Sequence, residues 1–261
     1  MSAVDVHAVV EGPPDAPVVV LSPSLGSTKA MWDPQAGVLS RSFRVVRYDH
    51  RGHGRSPVPP GPYDLPDLAE DVVALLDRLD VGSAHYVGLS LGGMTGMALA
   101  AAHPDRVRSL VLCCTSAQLG PATMWAERAA AVRSEGTASI AETVVSRWLT
   151  PGYAAEHPDL VARLRAMVAD IPDEGYAACC GAIERMDLRA ELPGIAAPTL
   201  VVAGAQDPAT PPEHAARIAE GIAGARVEVL DPAAHLANLE QPDAVTALIE
   251  QHVTATEGAA A

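Results

Sequence analysis

Short, continuously apolar segments recur along this chain and constrain its fold more than any other feature. The segment 16–22 reads Ala-Pro-Val-Val-Val-Leu-Ser, and consecutive apolar residues of this kind are typical of strands that are buried on both faces. Between such segments lie helical patterns, as in 67–79, where leucines and valines recur at spacings of three and four. This alternation predicts a mainly parallel sheet covered by helices, with strands at 16–22, 43–49, 84–89, 107–113, 199–203 and 227–230.

The alternation is interrupted between residues 118 and 193. This stretch has helical periodicity, and prolines at 121, 151, 158, 172 and 193 divide it into short pieces. We therefore predict an α/β core formed by 1–117 and 196–254, with 118–195 inserted as a helical cap. Residues 255–261 have little apolar surface to bury, and we predict a flexible tail there.

Charge and hydropathy exclude several classes of function. The 32 acidic and 18 basic side chains give a net charge of −14, which disfavours nucleic acid and anionic membrane surfaces as partners. Charged residues, prolines and glycines interrupt every apolar run, so no membrane-spanning helix is predicted. The first residues lack the basic start and apolar block of a signal peptide, and the expected location is the cytoplasm.

Lysine and cysteine usage narrows the chemistry further. Lys29 is the single lysine, and its neighbours match neither a phosphate-binding loop nor a Schiff-base or Ser–Lys site. The four cysteines form two adjacent pairs, at 113–114 and 179–180, without the spacing of zinc or redox motifs. We expect buried thiols.

A nucleophile motif follows the predicted strand 84–89. Residues 88–92 read Gly-Leu-Ser-Leu-Gly and precede a helical segment, which is the G-x-S-x-G pattern of a sharp strand-to-helix turn. The flanking glycines allow the neighbouring backbone to approach Ser90, and the helix N-terminus favours negative charge beside it. Ser90 is therefore the predicted nucleophile.

A serine nucleophile needs a base, and the base needs an acid to orient it. His235 follows the strand 227–230, and Asp207 follows the strand 199–203, which gives the chain order serine, aspartate, histidine. Asp231 is an alternative acid, although it lies close to His235 and precedes a proline that favours a turn. His50 and His53 are the alternative histidines, in a glycine-rich turn.

Acyl chemistry also requires hydrogen-bond donors for the oxyanion that develops on the carbonyl. The N–H of Leu91, directly after Ser90, is one predicted donor. The other is the N–H of Leu25, in the loop that follows the strand 16–22. A backbone amide serves this purpose whatever side chain it carries.

Together these residues resemble the α/β-hydrolase superfamily, which has an inserted cap above a mostly parallel sheet. The Pro23-Ser24 loop and several cap segments are similar to those of the 3-oxoadipate enol-lactonases, over roughly residues 18–252. These segments include Arg147-Trp-Leu-Thr150, the stretch 174–183, and the sequence around His235.

This resemblance implies an anionic substrate, a five-membered enol lactone that is hydrolysed to 3-oxoadipate. It implies neither a metal nor an organic cofactor. Arg128 is the first candidate to bind the substrate carboxylate, because a guanidinium can hold a carboxylate through two hydrogen bonds. Arg133 and Arg147 are weaker candidates. Trp125 and Trp148 are expected to line the pocket, although Trp148 is also a candidate for packing between cap and core.

Two other readings share these residues. A carboxylesterase, a cofactor-free perhydrolase or a C–C bond hydrolase would use the same serine, histidine and aspartate. A binding protein on the same fold is a remote alternative, since fold alone does not imply function. Some relatives carry a carboxymuconolactone decarboxylase domain after the lactonase. Fusion or association with such a domain is therefore a further expectation. The sequence does not indicate the oligomeric state.

Overall fold

The centre of the molecule is a seven-stranded sheet. A computed structural model describes residues 2–260. The strand order is β1-β3-β2-β4-β5-β6-β7, and every pair is parallel except β1 with β3. The mainly parallel sheet predicted from the sequence is therefore confirmed. The strands are β1 Ala8–Glu11, β2 Val18–Ser22, β3 Arg44–Tyr48, β4 Ala84–Leu89, β5 Val107–Cys113, β6 Thr199–Gly204 and β7 Arg226–Leu230.

Helices fill the connections between the strands. They are α1 Asp33–Leu39, α2 Leu65–Arg78, α3 Leu91–Ala102, α4 Ala122–Glu135, α5 Ala141–Val145, α6 Pro151–Glu156, α7 Pro158–Ala169, α8 Asp173–Arg185, α9 Pro212–Gly221, α10 Ala237–Glu240 and α11 Pro242–Ala260. Short 3₁₀ turns occur at Lys29–Trp32, Pro104–Arg106, Thr137–Ser139 and Leu192–Gly194.

Both faces of the sheet are buried at its central strands, whereas the edge strand β7 is largely exposed. Along β2, Val20 belongs to one apolar cluster, whereas Val19 and Leu21 belong to the other, because successive side chains of a strand point to opposite faces. All three are fully buried. This two-sided burial explains why the segment is apolar at consecutive positions, and each such side chain contributes roughly 1.5–3 kcal/mol.

Five helices, α4 to α8, lie between β5 and β6 and form the segment above the carboxyl end of the sheet. Buried residues of α4 and α8, such as Trp125 and Tyr176, join the first apolar cluster. Buried residues of α5 and α7, such as Val144 and Leu164, join the second. The inserted segment is thus attached to the apolar clusters of both sheet faces.

The prediction of a flexible tail at 255–261 is wrong for residues 255–260, while Ala261 lies outside the described residues. Helix α11 continues to Ala260. The Glu257 carboxylate accepts a hydrogen bond from Nε2 of the buried His85 at 3.0 Å and also pairs with Arg108. These two contacts attach the last turns of the helix to the sheet. The composition of the tail does not predict them.

Candidate active site

Ser90 lies in a strained turn between β4 and α3. Its φ of 56° and ψ of −114° lie outside the regions that most residues adopt. The glycines on either side are required, since a Cβ at Gly88 would lie 2.2 Å from the Gly92 carbonyl oxygen, and one at Gly92 would lie 2.4 Å from that of Ser22. The Ser90 carbonyl accepts a hydrogen bond from the Thr115 hydroxyl at 2.7 Å, which helps to hold this geometry.

Asp207 and His235 form a buried pair. Nδ1 of His235 lies 2.8 Å from Oδ2 of Asp207, and because the carboxylate can only accept, Nδ1 is the donor. In the neutral ring, this leaves Nε2 as the basic nitrogen. The other carboxylate oxygen accepts from the N–H groups of Ala209 and Thr210, at 2.8 and 3.0 Å.

The electrostatics of Asp207 favour its charged form. Burial acts to raise the pKa of this carboxyl, but the charge and hydrogen bond of His235, together with the donors of Thr210, outweigh burial and lower the pKa to about 2. Asp207 is therefore a fixed negative charge at neutral pH, able to orient the imidazole and to stabilise it when it becomes protonated.

Ser90 and His235 line the same cavity. Both are buried, with 7% and 4% of their surface exposed. Among the described residues no hydrogen bond joins the two side chains, so the structure brings Asp207 and His235 into contact and places Ser90 in the same cavity without a hydrogen bond to His235. Such contacts are often long in unliganded enzymes and shorten when the substrate binds.

The loop after β2 contributes Leu25 to this cavity. The Leu25 N–H donates to no other described residue, and the Leu91 N–H, as the first of helix α3, has no acceptor within the helix. The loop is held by two histidines. Nε2 of His50 donates to the Pro23 carbonyl at 3.0 Å, and the Gly26 N–H donates to Nε2 of His53 at 3.1 Å.

These two histidines hold the loop through hydrogen bonds, and among the described residues neither belongs to a cluster that could bind a metal. Burial lowers the pKa of His50 to about 3 and that of His53 to about 4, so both rings are neutral at pH 7. Their turn begins at Asp49, whose buried carboxylate accepts from the Lys29 ammonium at 2.8 Å. Although burial acts to raise the pKa of Asp49, this ion pair and its hydrogen bonds lower it.

The alternative acid, Asp231, does not contact His235. Its carboxylate accepts a hydrogen bond from the Gln206 amide at 3.4 Å in an exposed position. The four cysteines are buried and free, as their adjacent spacing predicts.

The cavity between core and cap has a volume of about 240 Å³, enough for a small ligand. Its walls combine aromatic, aliphatic and polar side chains, and two arginines face it. It is lined by Ser24, Leu25, Ser90, Leu119, Gly120, Met124, Trp125, Arg128, Val144, Arg147, Trp148, Tyr176, Ile183, Pro208, Ala209, Thr210 and His235.

Arg128 is a half-buried cation at this cavity. Its guanidinium carbon lies 4.8 Å from the centre of the Trp125 ring, a cation–π arrangement that orients the group. Burial raises the pKa of the Tyr176 phenol, and the positive charge of Arg128 beside it opposes that change. Within residues 2–260 no carboxylate pairs with Arg128, so its charge is free to bind an anion.

The two weaker arginine candidates differ from each other. Arg133, one and a half turns further along α4, forms an ion pair with Glu174 at 2.7 Å and does not line the cavity. Arg147 lines the cavity, is exposed, and pairs with no carboxylate of the described residues. The cavity therefore has Arg128 and Arg147 as its cations, and Arg133 is neutralised elsewhere.

A family model described as the alpha/beta hydrolase fold matches residues 17–242. The chain belongs to the α/β-hydrolase fold family. It is 41% identical over 239 residues to 3-oxoadipate enol-lactonase 2 of Acinetobacter baylyi, which covers 92% of this chain and 89% of that protein. The crystal structure of the enol-lactonase from Burkholderia xenovorans LB400 superposes with a TM-score of 0.93 at 43% identity, covering 95% of this chain and 96% of that one.

These similarities confirm the predicted α/β-hydrolase fold and its resemblance to enol-lactonases, and they show that the chain is a hydrolase. A further relative, from Variovorax paradoxus, bears a name that assigns it as a carbamate hydrolase. It is 35% identical over 235 residues, which cover 88% of each chain. The similarities therefore establish the fold family of this hydrolase. They are compatible with two substrate classes, enol lactones and carbamates.

Two aromatic residues of the hydrolase complete the cavity. Trp148 lines it as predicted, and it is also packed between cap and core, with 3% of its surface exposed. Tyr176 is a lining residue that sequence reasoning missed, although it lies in the segment 174–183 that resembles the lactonases. From the sequence alone, an aromatic residue in an apolar part of a helix is predicted to be a core residue. Its place beside the cavity is known only once the neighbouring cap helices are placed.

Within residues 2–260 of the hydrolase, no helix is both long and apolar enough to cross a membrane. The cytoplasmic location stays a prediction.

Proposed function

We propose that this hydrolase opens the ring of 3-oxoadipate enol-lactone to give 3-oxoadipate, a step in the breakdown of aromatic compounds. The observation that carries the proposal is Arg128, a cation without a carboxylate partner in the described chain, in the same small cavity as Ser90 and His235. A substrate with one carboxylate and one reactive acyl group needs both a cation and a nucleophile, and both line this cavity. The enol-lactonase relatives support the same substrate class.

In the proposed reaction, Ser90 attacks the lactone carbonyl while Nε2 of His235 takes its proton. The negative charge of Asp207, 2.8 Å from Nδ1, stabilises the imidazolium that forms. The oxyanion is bound by the N–H groups of Leu25 and Leu91, whose donors are not used elsewhere in the described structure.

Collapse of the tetrahedral intermediate breaks the bond between the acyl carbon and the ring oxygen. The leaving group is an enolate, which takes a proton from His235 and becomes the ketone of the open chain. Water then attacks the acyl-serine with His235 again as the base, and releases the second carboxylate of 3-oxoadipate. One lactone and one water give one product, without a cofactor.

The local charges of the cavity agree with an anionic substrate even though the whole chain carries −14. The overall charge repels an anion at long range, but solution salt screens charges beyond about 10 Å. At contact distance, a guanidinium over an aromatic ring provides two donors and a positive charge.

The test compares catalytic efficiency, kcat/KM, on 3-oxoadipate enol-lactone, p-nitrophenyl acetate and a simple alkyl carbamate. We expect the lactone value to exceed the other two by about 100-fold or more, and Ser90→Ala to lower it by roughly 10⁴-fold or more. Mass spectrometry of the product should show the addition of one water.

A higher efficiency on the neutral ester or on the carbamate would contradict the substrate assignment. Ser90→Ala with full activity would contradict the catalytic one.

A further inference from the structure

One carboxylate connects the loop that carries His235 to the cap. Oε2 of Glu240 accepts a hydrogen bond from the Ala234 N–H at 2.5 Å. Oε1 accepts from both the N–H and the hydroxyl of Thr150, at 2.8 and 2.7 Å. Thr150 belongs to the inserted segment, whereas Ala234 directly precedes His235, so Glu240 bridges two distant parts of the chain.

Two further hydrogen bonds join the same regions. The Leu236 N–H, on the other side of His235, donates to the Trp148 carbonyl at 2.8 Å. The Tyr153 phenol donates to the Leu239 carbonyl at 2.9 Å. The backbone before and after His235 is thus attached to cap residues 148–153, which include a wall of the cavity.

The imidazole itself is held on one side only. Nδ1 of His235 is bonded to Asp207, and no hydrogen bond in the described structure joins the ring to Ser90. Helix α10, which carries Glu240, has four residues and cannot fix the loop by its own rigidity. The loop is also held to the core, where the Gln206 N–H donates to the Ala233 carbonyl at 2.8 Å. The attachment to the cap adds contacts on both sides of His235, and we expect the position of the ring relative to Ser90 to depend on them.

We propose that Glu240 is a positioning residue that couples the placement of the cap to that of the His235 imidazole. A displacement of Thr150 is transmitted through the Glu240 carboxylate to the Ala234 amide, and from there to the adjacent histidine. The proposal rests on the catalytic roles proposed above for Ser90 and His235, but not on which acyl substrate is used.

Glu240→Gln removes this connection with little change of shape. A carboxylate accepts at both oxygens, whereas an amide accepts at one and presents an NH₂ group at the other. That NH₂ would face a backbone N–H, either at Ala234 or at Thr150. Because two donors cannot form a hydrogen bond, the side chain loses its bond to one of these two residues. Thr150→Val leaves the backbone bond to Glu240 in place and removes the hydroxyl, which donates to Glu240 and also accepts from the Tyr153 N–H at 3.4 Å as the cap of α6.

The experiment measures two reactions that need Ser90 and His235 and do not need Arg128. The first is inactivation by diisopropyl fluorophosphate, in which the Ser90 oxygen displaces fluoride from phosphorus and His235 takes the proton. The second is hydrolysis of p-nitrophenyl acetate, analysed for kcat and KM separately. Glu250→Gln is the matched control, since Glu250 lies on the neighbouring helix α11 and makes no hydrogen bond or ion pair with the described residues.

We expect Glu240→Gln to lower both the inactivation rate constant and kcat by 10-fold or more, with KM within twofold. Thr150→Val should lower the same two constants by at least threefold, and Glu250→Gln should leave them within 1.5-fold. If Glu240→Gln lowers the Tm but leaves both rate constants at their wild-type values at 25 °C, Glu240 has only a structural role. That result would overturn the proposal.

Three further outcomes have distinct meanings. If Glu240→Gln does not fold, unchanged rate constants in Thr150→Val overturn the proposal and lowered ones support it. If the wild-type protein is not labelled at Ser90, the proposed catalytic roles fail and the positioning role fails with them. If labelling depends on Ser90 but the lactone is not hydrolysed, only the proposed substrate is wrong.

Discussion

Arg128 and Arg133 lie five positions apart on α4, and their surroundings give them opposite roles. Arg128 rests over Trp125 at the cavity, while Arg133 is paired with Glu174 outside it. A guanidinium that is already paired with a carboxylate attracts an anionic ligand only weakly. The two positions therefore form a matched pair for testing substrate binding.

We predict that Arg128→Ala raises KM for the enol lactone by roughly 10- to 100-fold with little change in kcat, because hydrogen bonds to charged groups contribute about 1.5–3 kcal/mol. Arg133→Ala should stay within about twofold, in line with the small effect of exposed ion pairs. Steady-state kinetics on the lactone and on p-nitrophenyl acetate measure both effects. Equal losses of Arg128→Ala on the two substrates would indicate a damaged cap instead of a lost carboxylate contact.

Ser90, Asp207 and His235 can be predicted from the sequence as candidate catalytic residues because each follows a predicted strand, and parallel strands end at one edge of the sheet. Glu240 and Tyr176 carry no such local signal. The partners of Glu240 include Thr150, 90 positions away, and this contact arises only when the cap folds back over the core. A residue whose function depends on a distant segment cannot be recognised from its own neighbours.

Helix α11 shows at the scale of an element how tertiary contacts outweigh local composition. Its last turns are rich in alanine and small polar residues, a composition that does not indicate a buried face. The contacts of Glu257 with His85 and Arg108 attach these turns to β4 and β5. Strand β1 was missed for a similar reason, since its four residues are only partly buried and pair antiparallel at the edge of the sheet.

Removal of this attachment should destabilise the protein without affecting the cavity. We predict that Glu257→Ala lowers the free energy of unfolding by about 1 kcal/mol, because the buried His85 loses one of its two hydrogen-bond partners while the site is partly open to solvent. Urea denaturation measures the change, with Glu250→Ala on the same helix as control. Identical midpoints for the two variants would show that the end of α11 contributes nothing to stability.

For the whole molecule, buried neutral histidines link stability to pH. His50 and His53 are fully buried, and burial lowers the pKa of each, to about 3 and about 4. In the unfolded chain both titrate near pH 6.5. Between pH 6.5 and 4 the unfolded state therefore binds protons that the folded state does not, and acid favours unfolding.

We predict that the free energy of unfolding falls as pH is lowered below 6.5, with each histidine contributing a slope that approaches ~1.4 kcal/mol per pH unit. Urea denaturation at a series of pH values from 7 to 4.5 measures the slope. The variant His53→Asn should be less stable at pH 7 and show a shallower dependence. A slope that this variant leaves unchanged would mean that His53 is not the group being titrated.

The ion pair between Lys29 and Asp49 has a practical consequence for handling the protein. The single side-chain amine of the molecule is engaged with a buried carboxylate, so reagents that couple to lysine find almost no accessible target. Immobilisation, fluorescent labelling or cross-linking at Lys29 would break its ion pair with Asp49 and disturb the loop that follows β2. The 32 acidic side chains are the better handles, and carbodiimide coupling is the suitable way to attach this hydrolase to a surface.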